Sequence, residues 1–119
     1  MKEMIYQQLR KRELLARDTY KDHEYFAISF GTHPCAYVKL NGESLSMAEN
    51  LPCHGGVTYT EAYLKLPDQT LEGEFVGWDY AHWGDRWGDE GGEEYSTSEL
   101  VTDCERFIEE LIENKGDEE

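Results

Sequence analysis

The clearest pattern in the chain is an apolar stripe close to its C-terminal end. Apolar residues recur there with the i, i+3, i+4, i+7 spacing of an amphipathic helix, and the intervening positions are mostly acidic. Ser96 and Glu99 match a capping box at the start of this helix, and Gly116 is predicted to end it. The tail, residues 115–119, is predicted to fray, because its acidic residues lie near the negative end of the helix dipole. The stripe consists of Leu100, Val101, Cys104, Phe107, Ile108, Leu111 and Ile112.

A second helix is predicted at the other end of the chain, from Lys2 to Asp18. This segment is rich in residues that favour helices, and Met1, Ile5 and Leu9 lie four residues apart on one helical face.

Between the two predicted helices the hydrophobic period changes to that of strands. Four segments are predicted as strands, and the segment from Glu43 to Asn50 as a short helical turn. The order helix, strands, helix predicts an α+β fold, with an antiparallel sheet of about four strands and both terminal helices packed on it. The predicted strands begin near Tyr25, at Cys35, at Val57 and at Gly73, and the last three end at Leu40, Leu66 and Tyr80.

Composition places the chain among small cytoplasmic proteins. Its 119 residues are predicted to form a single domain, 1–119, which is long enough to bury a core. Three scattered cysteines argue against a disulfide framework and for reduced thiols. No apolar run is long enough to span a membrane, and the N-terminal residues lack the apolar core of a signal peptide, so no membrane association is predicted. The oligomeric state has no signature in the sequence.

The net charge of -15 bears on partners. Residues 99–119 carry nine Asp and Glu against two Lys and Arg, whereas residues 1–21 are basic. An acidic surface repels phosphates, which argues against direct nucleic-acid binding outside the basic N-terminal segment. It attracts a partner protein with a basic surface, although solubility alone also accounts for such a charge.

Aromatic residues cluster beside an acidic, glycine-rich segment, residues 84–95, which is predicted to be a flexible loop. Aromatic side chains next to charge often anchor a partner protein. The predicted partner-binding residues are Trp83, Trp87, Asp89 and Glu90. The alternative is that Trp78 is buried in the core and that Trp83 and Trp87 fix the loop.

Two polar motifs, residues 53–59 and 77–85, flank one predicted hairpin. If Leu66 pairs near Gly73, the hairpin brings together two histidines and two aspartates, which could bind Zn or Mn or act as acid and base. The alternative is a polar junction in which the aspartates cap turns and the histidines donate hydrogen bonds. His23 and His33 have no predicted partner. The predicted metal ligands are His54, Asp79, His82 and Asp85.

The same motifs, Cys53-His54-Gly55-Gly56-Val57-Thr58-Tyr59 and Gly77-Trp78-Asp79-Tyr80-Ala81-His82-Trp83-Gly84-Asp85, carry a family resemblance. They resemble the HGG-hydrophobic-TY and G-aromatic-D-x-A-H-x-G-D signatures of small proteins encoded by phages and prophages. The resemblance implies a mobile-element origin and no established chemistry. It favours an accessory protein that binds a host or phage protein, for example as an inhibitor of host defence. The alternative function is that of a small metal-dependent hydrolase.

Overall fold

The computed structural model describes residues 13–29, 33–80, 85–86, 93–94 and 97–117. Within these residues a five-stranded antiparallel sheet has the order β1-β2-β3-β5-β4, and two short strands, β6 and β7, pair in parallel. The strands are β1 (Glu13–Tyr20), β2 (His23–Ser29), β3 (Pro34–Lys39), β4 (Tyr59–Lys65), β5 (Thr70–Asp79), β6 (Asp85–Arg86) and β7 (Glu93–Glu94), and the helices are α1 (Leu45–Ala48) and α2 (Thr97–Asp117).

The α+β class, the C-terminal helix and the helical turn are confirmed, and the four predicted strands correspond to β2, β3, β4 and β5. Helix α2 continues one residue past Gly116. Among the described residues, no helix has the length and apolar character needed to cross a membrane.

The prediction of a helix up to Asp18 is wrong for its described part, because residues 13–18 belong to β1. This strand pairs with β2 from Glu13 to Tyr20, with one irregularity between Leu14 and Ala16, and gives the sheet a fifth strand. Lys21 and Asp22, both at positive φ, form the tight connection between the two strands. Helix propensity is a weak local preference, and pairing with β2 overrides it. Residues 2–12 of the predicted helix lie outside the described residues.

Helix α2 covers one face of the sheet. The apolar stripe of the sequence, except Ile112, which is 40% exposed, packs there on alternate residues of β2, β3 and β5. The Trp78 and Phe107 rings lie 4.9 Å apart between their centroids. The buried residues of this first cluster are Tyr25, Ala27, Ala36, Val38, Leu40, Ala48, Leu51, Val76, Trp78, Tyr80, Leu100, Cys104, Phe107, Ile108 and Leu111.

A second cluster occupies the opposite face of the sheet, as the alternation of side chains along each strand requires. Phe26 and Phe75 are completely buried in it, with their ring centroids 6.0 Å apart. The buried residues of the second cluster are Phe26, Ile28, Cys35, Tyr37, Leu64, Leu66 and Phe75.

The hairpin of β4 and β5 forms, but in a different register from the predicted one. Lys65 pairs with Thr70 and Tyr59 with Gly77, because the chain reverses tightly where the Leu66 N–H donates to the Gln69 carbonyl at 2.7 Å. The shift of three to four residues places Tyr59, the first residue of β4, opposite Gly77, whereas the predicted register places it near Tyr80. Turn geometry, which alternation does not encode, decides the register.

Candidate binding site

The first motif forms a tight turn after α1. Gly55 has a φ of 71° and Gly56 a φ of 86°, and the Gly56 N–H donates to the Cys53 carbonyl at 3.1 Å. Glycine adopts these left-handed conformations without the steric cost that a Cβ adds. The paired glycines of the motif therefore have a backbone role, and the turn carries His54.

His54 stacks on the second motif. Its ring lies 4.5 Å from that of Tyr80, with an interplanar angle of 17°. The Tyr80 hydroxyl donates to Asp103 Oδ2 at 2.5 Å and accepts a hydrogen bond from Trp78 Nε1 at 3.1 Å. Burial, with Asp103 second, raises the pKa of Tyr80 well above its ordinary value, so this side chain stays a phenol. A continuous chain of contacts thus joins both motifs to α2.

A cleft of about 420 Å³ lies between the turn of the first motif and α2. Sequence reasoning found His54 but missed the helical side of the cleft. The available signal was the spacing of Asp103, Arg106 and Glu110, which places these charged residues along one face of the helix. The cleft is lined by Pro52, Cys53, His54, Asp103, Arg106, Phe107 and Glu110.

The cysteines near this cleft are thiols at neutral pH. Burial, to which the charge of Asp103 adds, raises the pKa of Cys53 to about 11. Burial likewise raises the pKa of Cys104, which lies in the first cluster. The thiolate is the nucleophilic form of cysteine, so neither residue is poised for nucleophilic catalysis.

The two predicted ligands with described side chains have different surroundings. Asp79 accepts a hydrogen bond from Thr58 Oγ1 at 3.2 Å, and its register partner is Cys35 of the second cluster. His54 contacts Tyr80, which belongs to the first cluster on the opposite face. Within the described ranges no three His, Cys, Asp or Glu side chains form a group that could hold a metal ion.

The structure does not describe the side chains of the remaining predicted site residues. For His82 and for the side chain of Asp85 the structure gives no position, so the four-residue Zn or Mn site stays a prediction. The same holds for Trp83, Trp87, Asp89 and Glu90. Within the predicted loop 84–95, only the pairing of β6 with β7 is described. The alternative reading of Trp78 as a core residue is confirmed by its 1% exposure.

The glycine that opens the second motif has a packing role. A Cβ at Gly77 would lie 2.7 Å from the Ala36 carbonyl oxygen and 2.5 Å from Tyr37 Cδ1. We expect Gly77→Ala to lower the free energy of unfolding by about 1–3 kcal/mol, because neither the backbone oxygen nor the buried tyrosine can move away freely. Urea denaturation measures the loss.

Glu74→Ala is the control for Gly77→Ala, since Glu74 is exposed on the same strand. We expect this control to change the free energy of unfolding by less than about 0.5 kcal/mol. Equal stabilities of the two variants would contradict the close approach of β3 to Gly77.

Comparison of the chain with protein-family models, with curated proteins and with solved structures gives no match.

Proposed function

We propose that this chain is a phage- or prophage-type accessory protein that binds a basic surface of a host or phage protein in the cytoplasm of the host cell, and that it inhibits host defence in this way. The observation that carries the proposal is the acidic outer face of α2. The net charge of -15 supports it, since a field of that sign speeds encounter with a basic partner.

The acidic face is presented by a rigid element. Leu100, Cys104, Phe107, Ile108 and Leu111 anchor α2 on the sheet with exposures of 0–1%. Binding by a preordered helix loses less conformational entropy than binding by a flexible tail, so more of the electrostatic attraction contributes to affinity. The acidic residues that this helix carries outside its buried stripe are Glu99, Asp103, Glu105, Glu109, Glu110 and Glu113.

One of these acids also holds the helix in place. Glu109 accepts a hydrogen bond from the Tyr20 hydroxyl at 2.9 Å and forms an ion pair with Lys21. These two contacts, Lys21 first, hold the pKa of Glu109 below its ordinary value. Glu109 is therefore unsuited to a test of partner binding, because its loss would also remove these two contacts of α2 with Tyr20 and Lys21.

In our proposal, the surface of this chain that contacts the partner also includes the segment that carries Trp83 and Trp87. Trp83 and Trp87 would supply apolar anchors, and Asp89 and Glu90 would add negative charge. Charge steers the encounter, whereas a few buried aromatic side chains usually provide most of the binding free energy. Cys35, Cys53 and Cys104 form no disulfide among the described residues, which supports the proposed cytoplasmic site of action.

The test compares two triple variants of equal net charge. One carries Glu99→Gln, Glu105→Gln and Glu113→Gln on α2. The other carries Glu61→Gln, Glu72→Gln and Glu74→Gln at exposed positions of the β4–β5 hairpin. Each serves as bait in host lysate at about 0.1 M and about 1 M salt, where the Debye length falls from about 10 Å to about 3 Å. The captured protein is then measured by surface plasmon resonance.

We expect a partner that is captured at low salt and lost at high salt. The helix variant should lower the association rate constant by about tenfold, and the hairpin variant should leave it near that of the wild type. Equal effects of the two variants would place the contact elsewhere. Capture that is independent of salt, or no capture at all, would overturn the proposal.

A further inference from the structure

We propose that the cleft between His54 and α2 receives an arginine side chain of the partner protein. This inference rests on the proposed function and specifies where one residue of the basic partner binds. It follows from the shape of the cleft, its charges and the aromatic groups in its walls.

The cleft has two dissimilar walls. On one side, the glycine turn holds the His54 ring flat against Tyr80. On the other side, α2 contributes Asp103 and Glu110. Asp103 is fixed in place by the Tyr80 hydroxyl, so the carboxylate and the imidazole are held by the same residue. The site is thus preorganised, which reduces the entropy lost when a ligand enters.

The charges of the cleft favour a cation. Asp103 and Glu110 outnumber Arg106, which is exposed and has no ion pair among the described residues. The carboxylate of Glu110 is also available, since its contact with Asn114 Nδ2 is long, at 3.5 Å. The long, exposed side chain of Arg106 can turn towards solvent, whereas the carboxylate of Asp103 is held in place by its hydrogen bond with Tyr80.

The planar carboxylates and the imidazole ring that line the cleft favour arginine over lysine. A guanidinium binds carboxylates through two parallel hydrogen bonds and packs flat against aromatic rings. The ammonium group of lysine is a compact, strongly hydrated charge, so it gains less binding free energy in this half-open cleft. The volume of about 420 Å³ lies in the range of small-ligand sites and accommodates a single side chain with its methylene stem.

The test uses three small probes of nearly equal size. These are N-acetyl-arginine amide, N-acetyl-lysine amide with a free side-chain amine, and N-acetyl-citrulline amide, which keeps the shape of arginine without its charge. Each is titrated into the full chain while nuclear magnetic resonance follows the His54 ring and the backbone amides of residues 103–110. We expect saturable shifts with arginine, in the millimolar range, at least about fivefold weaker binding of lysine, and none of citrulline.

Two variants in the cleft are expected to change the affinity for arginine in opposite directions. Glu110→Gln should weaken arginine binding by about fivefold, and Arg106→Gln should strengthen it because a like charge leaves the cleft. Glu61→Gln, at an exposed position of β4, is the control and should leave binding within about twofold. If Arg106→Gln instead weakens arginine binding, Arg106 makes an attractive contact rather than a repulsive one, and the inference is wrong.

The outcomes separate this inference from the proposed function. A salt-sensitive partner that binds Glu110→Gln as tightly as the wild type would refute the arginine site and leave the proposed function standing. Arginine shifts confined to the cleft, together with no captured partner, would support the site and refute the proposed function. Shifts of equal size with arginine and lysine, spread over the acidic face, would refute the site.

Discussion

Replacement of Glu43 by alanine is expected to lower the free energy of unfolding by about 3–5 kcal/mol, the cost of leaving one member of a buried ion pair without its partner. Glu43 Oε2 lies 2.7 Å from His23 Nε2, and the two side chains are 0% and 5% exposed. Urea denaturation at pH 7 measures the loss. A change below about 1 kcal/mol would show that the pair is not buried as described.

The hydrogen bonds around the pair explain the size of this effect. His23 Nδ1 faces the Lys21 carbonyl oxygen at 2.9 Å, and because that oxygen can only accept, Nδ1 carries a proton. A further proton lies between Nε2 and Glu43, while the other carboxylate oxygen accepts from the Asn41 N–H at 2.7 Å. Alanine at position 43 therefore removes the partners of a ring nitrogen and of a backbone amide at once.

Glu43→Gln is the matched control, since the amide oxygen can still accept from the Asn41 N–H and the amide N–H can donate to a neutral His23. We expect it to cost less than half as much as Glu43→Ala. Equal losses would show that charge, rather than the hydrogen bonds, accounts for the contribution of the pair.

The pH dependence of this contribution has a definite sign. Burial alone would raise the pKa of Glu43, but the Asn41 N–H and the His23 ring outweigh it and hold the pKa below its ordinary value of 4.5. A carboxyl whose pKa is lower in the folded state stabilises it above the unfolded value and loses that contribution as the pH falls through the folded one. The stability difference between wild type and Glu43→Ala should therefore shrink below pH 4.5.

Replacement of Trp78 by alanine is the second change with a large expected effect, about 3–5 kcal/mol of unfolding free energy. Trp78 is 1% exposed and lies between β5 and α2 against Phe107. Its loss leaves a cavity at the centre of the first cluster and removes the donor to the Tyr80 hydroxyl. Hydrogen exchange along α2 should also become faster, because Phe107 of the helix loses its ring contact with the sheet.

Ile112→Ala is the control on the same helix. Ile112 is 40% exposed, so its truncation removes little buried area, and alanine favours the helix. We expect a loss of less than about 1 kcal/mol and unchanged exchange rates near Leu100 and Cys104. Similar losses for Trp78→Ala and Ile112→Ala would contradict the placement of Trp78 in the core.

The sequence predictions are accurate where the interactions are between neighbouring residues, and they fail where the interactions join distant segments of the chain. The stripe from Leu100 to Leu111 repeats every three to four residues, so neighbouring turns of one helix define its buried face. The alternation in β2, β3 and β5 is equally local. By contrast, the register of β4 depends on a turn at residues 66–69, and the strand β1 depends on pairing with β2.

The candidate site shows the same division. The motif glycines and His54 stood out in the sequence, yet the cleft needs Asp103 and Arg106 from a helix about fifty residues away along the chain. His23 and Glu43, twenty residues apart, carried no signal of pairing. Residues that are distant in the sequence and come into contact only on folding produce no periodic pattern in the sequence.

The amino-acid sequence by itself determined the α+β class, the strands β2 to β5, the buried face of α2 and the acidic charge, because periodicity and composition are properties of neighbouring residues. Only the tertiary structure decided that residues 13–20 form a strand, that β4 pairs in its tighter register, and that His54 faces Asp103 and Arg106 across a cleft. Each of these depends on contacts between distant segments, whose free energy exceeds local preference once the core has packed.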